Sequence, residues 1–205
     1  NNAVAVWAYA PGYLNDDKTS VDGMKNLTGI RLEEKTVMER QSMRPTDKQH
    51  AITKNAQEGN AFEMAPAFFS NDPEARVLGT VAGHPALVVK EFENWRSVFT
   101  LMPLTREILQ GLCDYAGVHV FLRSFDVFHA NKTYLMLHTV TAGKKTISLP
   151  VSATVRELIS GRTLAKDATT FTEDLPPFVT RIYAIEPTSA ASTPLPEPVT
   201  SKKVK

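Results

Sequence analysis

The sequence predicts an α/β region followed by a small all-β domain, and three observations carry that reading. The chain opens on a continuous apolar run, Ala3 to Ala10 (AVAVWAYA), which breaks at Pro11-Gly12 and leads into a helix signal. An unbroken run of this length suits a strand buried on both faces of a parallel sheet, where alternation would mark a half-exposed one. A second helix signal covers residues 105–117, and beyond it short apolar stretches separated by turn residues replace the helical period. Strands at that spacing build a sandwich or an open sheet. The expected organisation is a partial parallel α/β sheet over residues 1–118, a small β-sandwich-like domain over 119–186 and a flexible tail over 187–205.

Each element has its own signal. After the first strand, the loop from Tyr13 to Thr19 leads to Ser20, an N-cap for a helix with Val21, Met24 and Leu27 on one side, and Gly29 fits its C-terminal end. Strand, loop and helix make a βα unit whose earlier partner strands are not in this sequence, so the α/β part is expected to be incomplete at its N-terminus. Arg31 to Gly59 is polar with little period and reads as an edge strand plus loops. Val77 to Val81 and Ala86 to Lys90 flank Gly83-His84-Pro85 as hairpin arms, with a third arm from Trp95 to Met102.

Thr105 then caps a helix whose apolar face is Ile108, Leu109, Leu112, Cys113 and Ala116, with Leu104 and Leu109 spaced as a hydrophobic staple and Gly117 as the stop. On this face Cys113 is expected to be buried. Six strands follow, at His119 to Leu122, Phe125 to Phe128, Tyr134 to Val140, Thr146 to Leu149, Val155 to Ile159 and Val179 to Ile185. Turns are marked by Asn131-Lys132, Ala142-Gly143 and Gly161, while Pro150, Pro176 and Pro177 stand at strand ends. Past Glu186 the chain is rich in Pro, Ser and Thr, with Leu195 its one large apolar residue, too little to offset the entropy of ordering.

Composition narrows the function. Of 205 residues, 42% are hydrophobic and 22% charged, which fits a packed globular fold. Lys plus Arg number 23 against 22 Asp plus Glu, a net charge of +1 that supplies no broad field for nucleic acid or an anionic membrane. No apolar run approaches the roughly 20 residues that span a bilayer. The lone cysteine, Cys113, excludes an intrachain disulfide and a cysteine-rich zinc site. The compartment is left open, a secreted or periplasmic one being among those allowed.

Candidate chemistry is sparse. Asp16 and Asp17 lie on a strand-to-helix loop, the usual place for sites in α/β sheets, although adjacent aspartates before a helix more often serve turn and dipole roles. Glu91, Glu93 and Glu33-Glu34 read as solvated faces. The histidines are His50, His84, His119, His129 and His138, none at the spacing of a metal motif. His129 and His138 would face each other across the hairpin at Asn131, where a plain cross-strand pair is the simpler reading than a zinc site. Tyr13 and Trp95, bordering loops, are candidates for stacking on a sugar ring or touching a partner, whereas Trp7 belongs to the core. Asn26-Leu-Thr and Asn131-Lys-Thr satisfy the glycosylation acceptor rule and decide little.

Two stretches add a resemblance. VWAYAPGYLNDDKTSVDGMKNLTGI resembles the late strand and helix of the class I glutamine-amidotransferase-like domain that follows the catalytic barrel in β-galactosidase-like glycoside hydrolases. ISLPVSATVRELISGRTLAKDATTFTEDLPPFVTRIYAI resembles the small terminal β-domain of such enzymes, at Leu149, Pro150, Val155, Leu158, Gly161, Phe171, Leu175, Pro176, Thr180 and Tyr183. GHPALVVKEFENWRSVFTLMPLTREILQGLCDYAGVHVF resembles the linking strands and helix of that group.

The departures are as informative. The family's carboxylates sit on a (β/α)₈ barrel of roughly 250 residues, more than this chain holds. An amidotransferase needs a nucleophilic cysteine on a strand-to-helix elbow, and Cys113 lies within a helix instead. The resemblance thus implies an accessory region with no catalytic residue, metal or cofactor of its own, contacting a catalytic barrel or a homologous subunit. Its candidate glycan or partner contacts are Tyr13, Asp16, Asp17 and Trp95. The alternatives are a free-standing glycan- or protein-binding assembly module, and an unrecognised hydrolase working from the Tyr13 to Thr19 loop.

Overall fold

The computed structural model describes residues 3–15, 18–36 and 40–188. In chain order the elements are β1 (Ala3–Ala8), β2 (Leu14–Asn15), β3 (Lys18–Thr19), α1 (Val21–Thr28), β4 (Leu32–Lys35), β5 (Arg44–Pro45), β6 (Ala67–Ser70), β7 (Arg76–Val81), β8 (His84–Glu91), β9 (Trp95–Thr100), α2 (Arg106–Ala116), β10 (Val127–Ala130), β11 (Tyr134–His138), β12 (Gly143–Glu157), β13 (Thr163–Leu175) and β14 (Thr180–Pro187). They form two compact units, Asn1–Val120 and Phe121–Lys205. The class is α/β followed by all-β.

The first unit is built on a five-stranded sheet of order β1-β9-β8-β7-β5, in which β1 runs parallel to β9 and the other pairs are antiparallel. The central strands β8 and β9 supply Leu87, Val88, Val98 and Phe99 to the core, joined by Phe68 and Phe69 of β6 and Met24 of α1. β1 is not the doubly buried strand that its composition predicts. It is an edge strand with three exposed and three half-buried residues, Val6 being 39% exposed. Its hydrophobicity exceeds its burial because only one neighbour, β9, pairs with it among the described residues.

Both helices begin and end where their caps require. The Ser20 hydroxyl accepts from the Gly23 amide, and Gly29 closes α1 in the left-handed conformation. Thr105 and Gly117 do the same for α2. The buried seam of α2 is Ile108, Gly111 and Leu112, so Leu109 is exposed and Cys113 only half-buried, a correction to the expected face. The polar stretch 31–59 also contributes more than loops: Leu32, Met43, Ile52, Thr53 and Ala56 are all buried, and a turn over 47–55 packs beneath α2.

The second unit is one five-stranded antiparallel sheet of order β10-β11-β14-β12-β13. The predicted strand Thr146 to Leu149 and the first three residues of the predicted strand Val155 to Ile159 belong to the single 15-residue β12, which ends at Glu157. Its register with β13 shifts between Ser148 and Ala153, around Pro150, which has no amide hydrogen for the ladder. β13, 13 residues long, replaces what reads in the sequence as connecting loop. His119 to Leu122 is not a strand, although Leu122 forms one bridge to Ile147. The core is Leu135, Leu137, Ile147, Leu149, Val155, Phe171, Leu175 and Tyr183. β14 reaches Pro187, and the Thr188 amide still donates to the Ser152 carbonyl. The expected tail beyond 188 lies outside the described residues.

Candidate functional site

The loop that follows β1 holds Tyr13 by both ends. Its ring lies 4.7 Å from that of Phe68, and its hydroxyl donates to Glu34 Oε2 at 2.6 Å. That hydrogen bond to a carboxylate raises the phenol above its ordinary pKa. The loop sits close on α1 because Gly12 and Gly23 face each other: a Cβ on Gly23 would lie 2.4 Å from the Gly12 carbonyl oxygen. Trp95 is the first residue of β9, opposite Ala3, with its ring stacked flat on Phe92 at 4.6 Å. Tyr13 follows the other end of β1, so the structure does not bring these two aromatics together. Asp16 and Asp17 lie outside the described residues.

Beyond the carboxyl end of β9, where ligands enter α/β sheets, the first unit has a cavity of about 280 Å³ lined by Met43, Phe62, Met102, Leu104, Thr105 and Arg106, among others. Its one charged side chain, Arg106, is bound to Glu107 at 2.9 Å. It contains no carboxyl pair. His129 and His138 do not face each other: His129 stands opposite Met136 and His138 opposite Val127, and the His138 Nδ1 is 2.9 Å from the Thr180 hydroxyl. Among the described residues no three His, Cys, Asp or Glu side chains gather as metal ligands.

Two carboxylates and two guanidiniums line one cavity of the second unit. A cavity of about 300 Å³ is lined by Glu157, Ile159, Ser160, Arg162, Glu173 and Arg181. Glu157 ends β12 and accepts from the Ile159 and Ser160 amides at 3.2 and 2.6 Å, so its carboxylate shapes the β12–β13 turn. Ser160 beside it holds this carboxyl below the usual range. Glu173, on β13, accepts from the buried Tyr183 hydroxyl at 2.8 Å and pairs with Arg162 at 2.5 Å. Burial, first, and then the Glu173 hydrogen bond drive the Tyr183 phenol upward.

No family model matches the chain, and no curated protein matches it. Solved structures do. The β-galactosidase from Bacillus circulans sp. alkalophilus superposes with a TM-score of 0.62 at 19% identity, over 90% of this chain and 29% of its own. Gan42B, a GH42 β-galactosidase, gives 0.56 at 15% identity, over 90% and 28%. The β-galactosidase from Rahnella sp. R3 gives 0.54 at 14% identity, over 89% and 28%. The chain is similar in fold to part of a β-galactosidase. It spans less than a third of the length of each of these relatives.

Against the chemistry of glycoside hydrolysis the cavity is informative. That reaction uses one carboxyl kept protonated as acid and one ionised as nucleophile or base. Here Ser160 and main-chain amides hold the Glu157 carboxyl below its usual range, the opposite of what a catalytic acid needs, and Glu173 is bonded to an arginine and a tyrosine. Sequence reasoning missed this cluster because residues 163–175 lack an apolar run. A signal was present at the end of β13, where Phe171, Glu173 and Leu175 alternate and share the buried face.

Proposed function

We propose that this chain is a non-catalytic accessory region of a β-galactosidase-like glycoside hydrolase, packing against a catalytic barrel or a neighbouring subunit. The observation that supports it most is the coverage: nearly the whole chain superposes on each β-galactosidase while occupying only 28–29% of that enzyme's length. A (β/α)₈ barrel requires eight parallel strands and about 250 residues. The described residues contain one parallel pair, β1 with β9. In this reading residues 1–118 are an amidotransferase-like scaffold without its nucleophile, since the one thiol, Cys113, sits inside α2, and the all-β part closes the region.

The test is an assay of the purified chain on chromogenic galactosides, glucosides and xylosides beside an Asp16→Asn, Asp17→Asn double variant. No turnover above background is expected from either. Turnover by the original chain that the double variant lacks would replace this reading with a hydrolase acting from the Tyr13 to Thr19 loop.

A further inference from the structure

We infer that the cavity lined by Glu157, Glu173, Arg162 and Arg181 binds one neutral sugar residue through a pair of adjacent hydroxyls. Its charged groups come from three neighbouring strands, β14, β12 and β13, and from the turn that joins the last two. Glu157 is the register partner of Tyr183, and Arg181 precedes Tyr183 by two residues, so all three side chains belong to the face that carries the core. Glu157 and Glu173 are 4% and 8% exposed. Burying carboxylates at the margin of a small apolar core is costly unless each is bonded, and each is.

What remains unused points at the ligand. A guanidinium carries five N–H donors, and the Arg181 side chain, half-buried at the cavity wall, feels Glu157 through space but makes no direct side-chain hydrogen bond or ion pair among the described residues. Arg162 spends one nitrogen on Glu173. Each Glu173 oxygen keeps a second lone pair after accepting its one bond, from Arg162 or from Tyr183. The wall therefore offers donors and acceptors side by side, while its two glutamates and two arginines sum to no net charge. An anion drawn to Arg181 would be opposed by both glutamates, and a cation by both arginines. A hydroxyl pair avoids both penalties, because it accepts from the guanidinium and donates to a carboxylate.

Size and rim agree with this class. About 300 Å³ is at the lower limit for small-molecule sites, which admits one sugar ring and excludes an enclosed oligosaccharide. Ile159 stands at the rim with 79% of its surface exposed, an apolar surface for the C–H face of the ring.

The experiment titrates the full chain with methyl galactoside, methyl glucoside and methyl xyloside by calorimetry, and with sodium acetate and sodium sulfate as anion probes. Amide chemical shifts are followed in parallel. Saturable binding of at least one glycoside is expected, with shifts confined to residues 157–162, 173 and 181. Arg181→Met, at an unchanged melting temperature, should weaken it by about tenfold or more, the loss of one charge-assisted hydrogen bond. Arg181→Lys, keeping one donor group, should fall between, and serves if the Met variant does not fold. No glycoside binding, shifts mapping elsewhere, binding of the anions alone, or indifference to both Arg181 variants would each overturn the inference. A sugar can bind here whether or not the chain serves a hydrolase, so this titration and the turnover assay fail separately.

Discussion

A Cβ added at Gly111 would lie 2.3 Å from the Ile52 carbonyl oxygen and 2.7 Å from that of Ala51. The second helix therefore rests directly on the backbone of the 47–55 turn, and this contact sets which face is buried. It explains why Leu109, counted with the core face from spacing alone, is 52% exposed and Cys113 only half-buried. A glycine carries no hydrophobic signal, so a seam running through one is invisible to periodicity. In an unconstrained helix, Gly→Ala would gain about 1 kcal/mol of propensity. Here the opposing atoms are main chain and cannot rotate away, and overpacking of this kind costs about 1–3 kcal/mol. Gly111→Ala should lower unfolding free energy, by up to about 2 kcal/mol, in urea titration. A stabilised variant would show that the helix is free to lift.

At the scale of elements, helices were legible and long strands were not. Ser20, Gly29, Thr105 and Gly117 act at their own positions, so caps read from four residues survive folding unchanged. β12 and β13 depend on each other instead: Lys144, Lys145 and Thr172 become strand residues because their partners lie across a hairpin. Polar composition hid this pairing, and Pro150 imitated a strand end. The start of β12 is also fixed by a clamp that no local pattern announces. Lys145 Nζ lies 2.9 Å from Asp126 Oδ2, both side chains almost wholly buried, while the Val140 amide donates to the other oxygen at 2.7 Å.

Burial alone would raise the Asp126 carboxyl, but hydrogen bonds from Ser124, Lys145 and the Val140 amide outweigh it and bring the group down to about 2. An ordinary aspartate titrates near pH 4. With the folded value below the unfolded one, the clamp's contribution is complete above about pH 4 and is lost as pH falls toward 2. Asp126→Asn leaves the Lys145 ammonium buried without its counter-charge, a change worth about 3 kcal/mol or more near neutrality. Urea midpoints of the original chain and the variant should therefore stand well apart at pH 7 and converge between pH 4 and 2. A separation independent of pH would mean that the carboxylate charge is not what the clamp uses.

Across the whole molecule the two hydrophobic clusters share no residue: one draws only on the first unit, from Met24 to Leu112, and the other only on the second, from Leu135 to Tyr183. The broad class was readable because each unit announces itself locally, by helical period before residue 118 and by closely spaced strands after it. Sheet membership was not, since β1 at an edge and β1 in a sheet centre have the same composition. Separate cores imply separate cooperativity, because a substitution is felt through the contacts of its own cluster. Hydrogen exchange read by mass spectrometry should then show Gly111→Ala loosening peptides from residues 67–116 while leaving 127–187 protected. Asp126→Asn, at pH 7, should do the reverse. Loss of protection in both regions from either substitution alone would mean that the units unfold as one cooperative body.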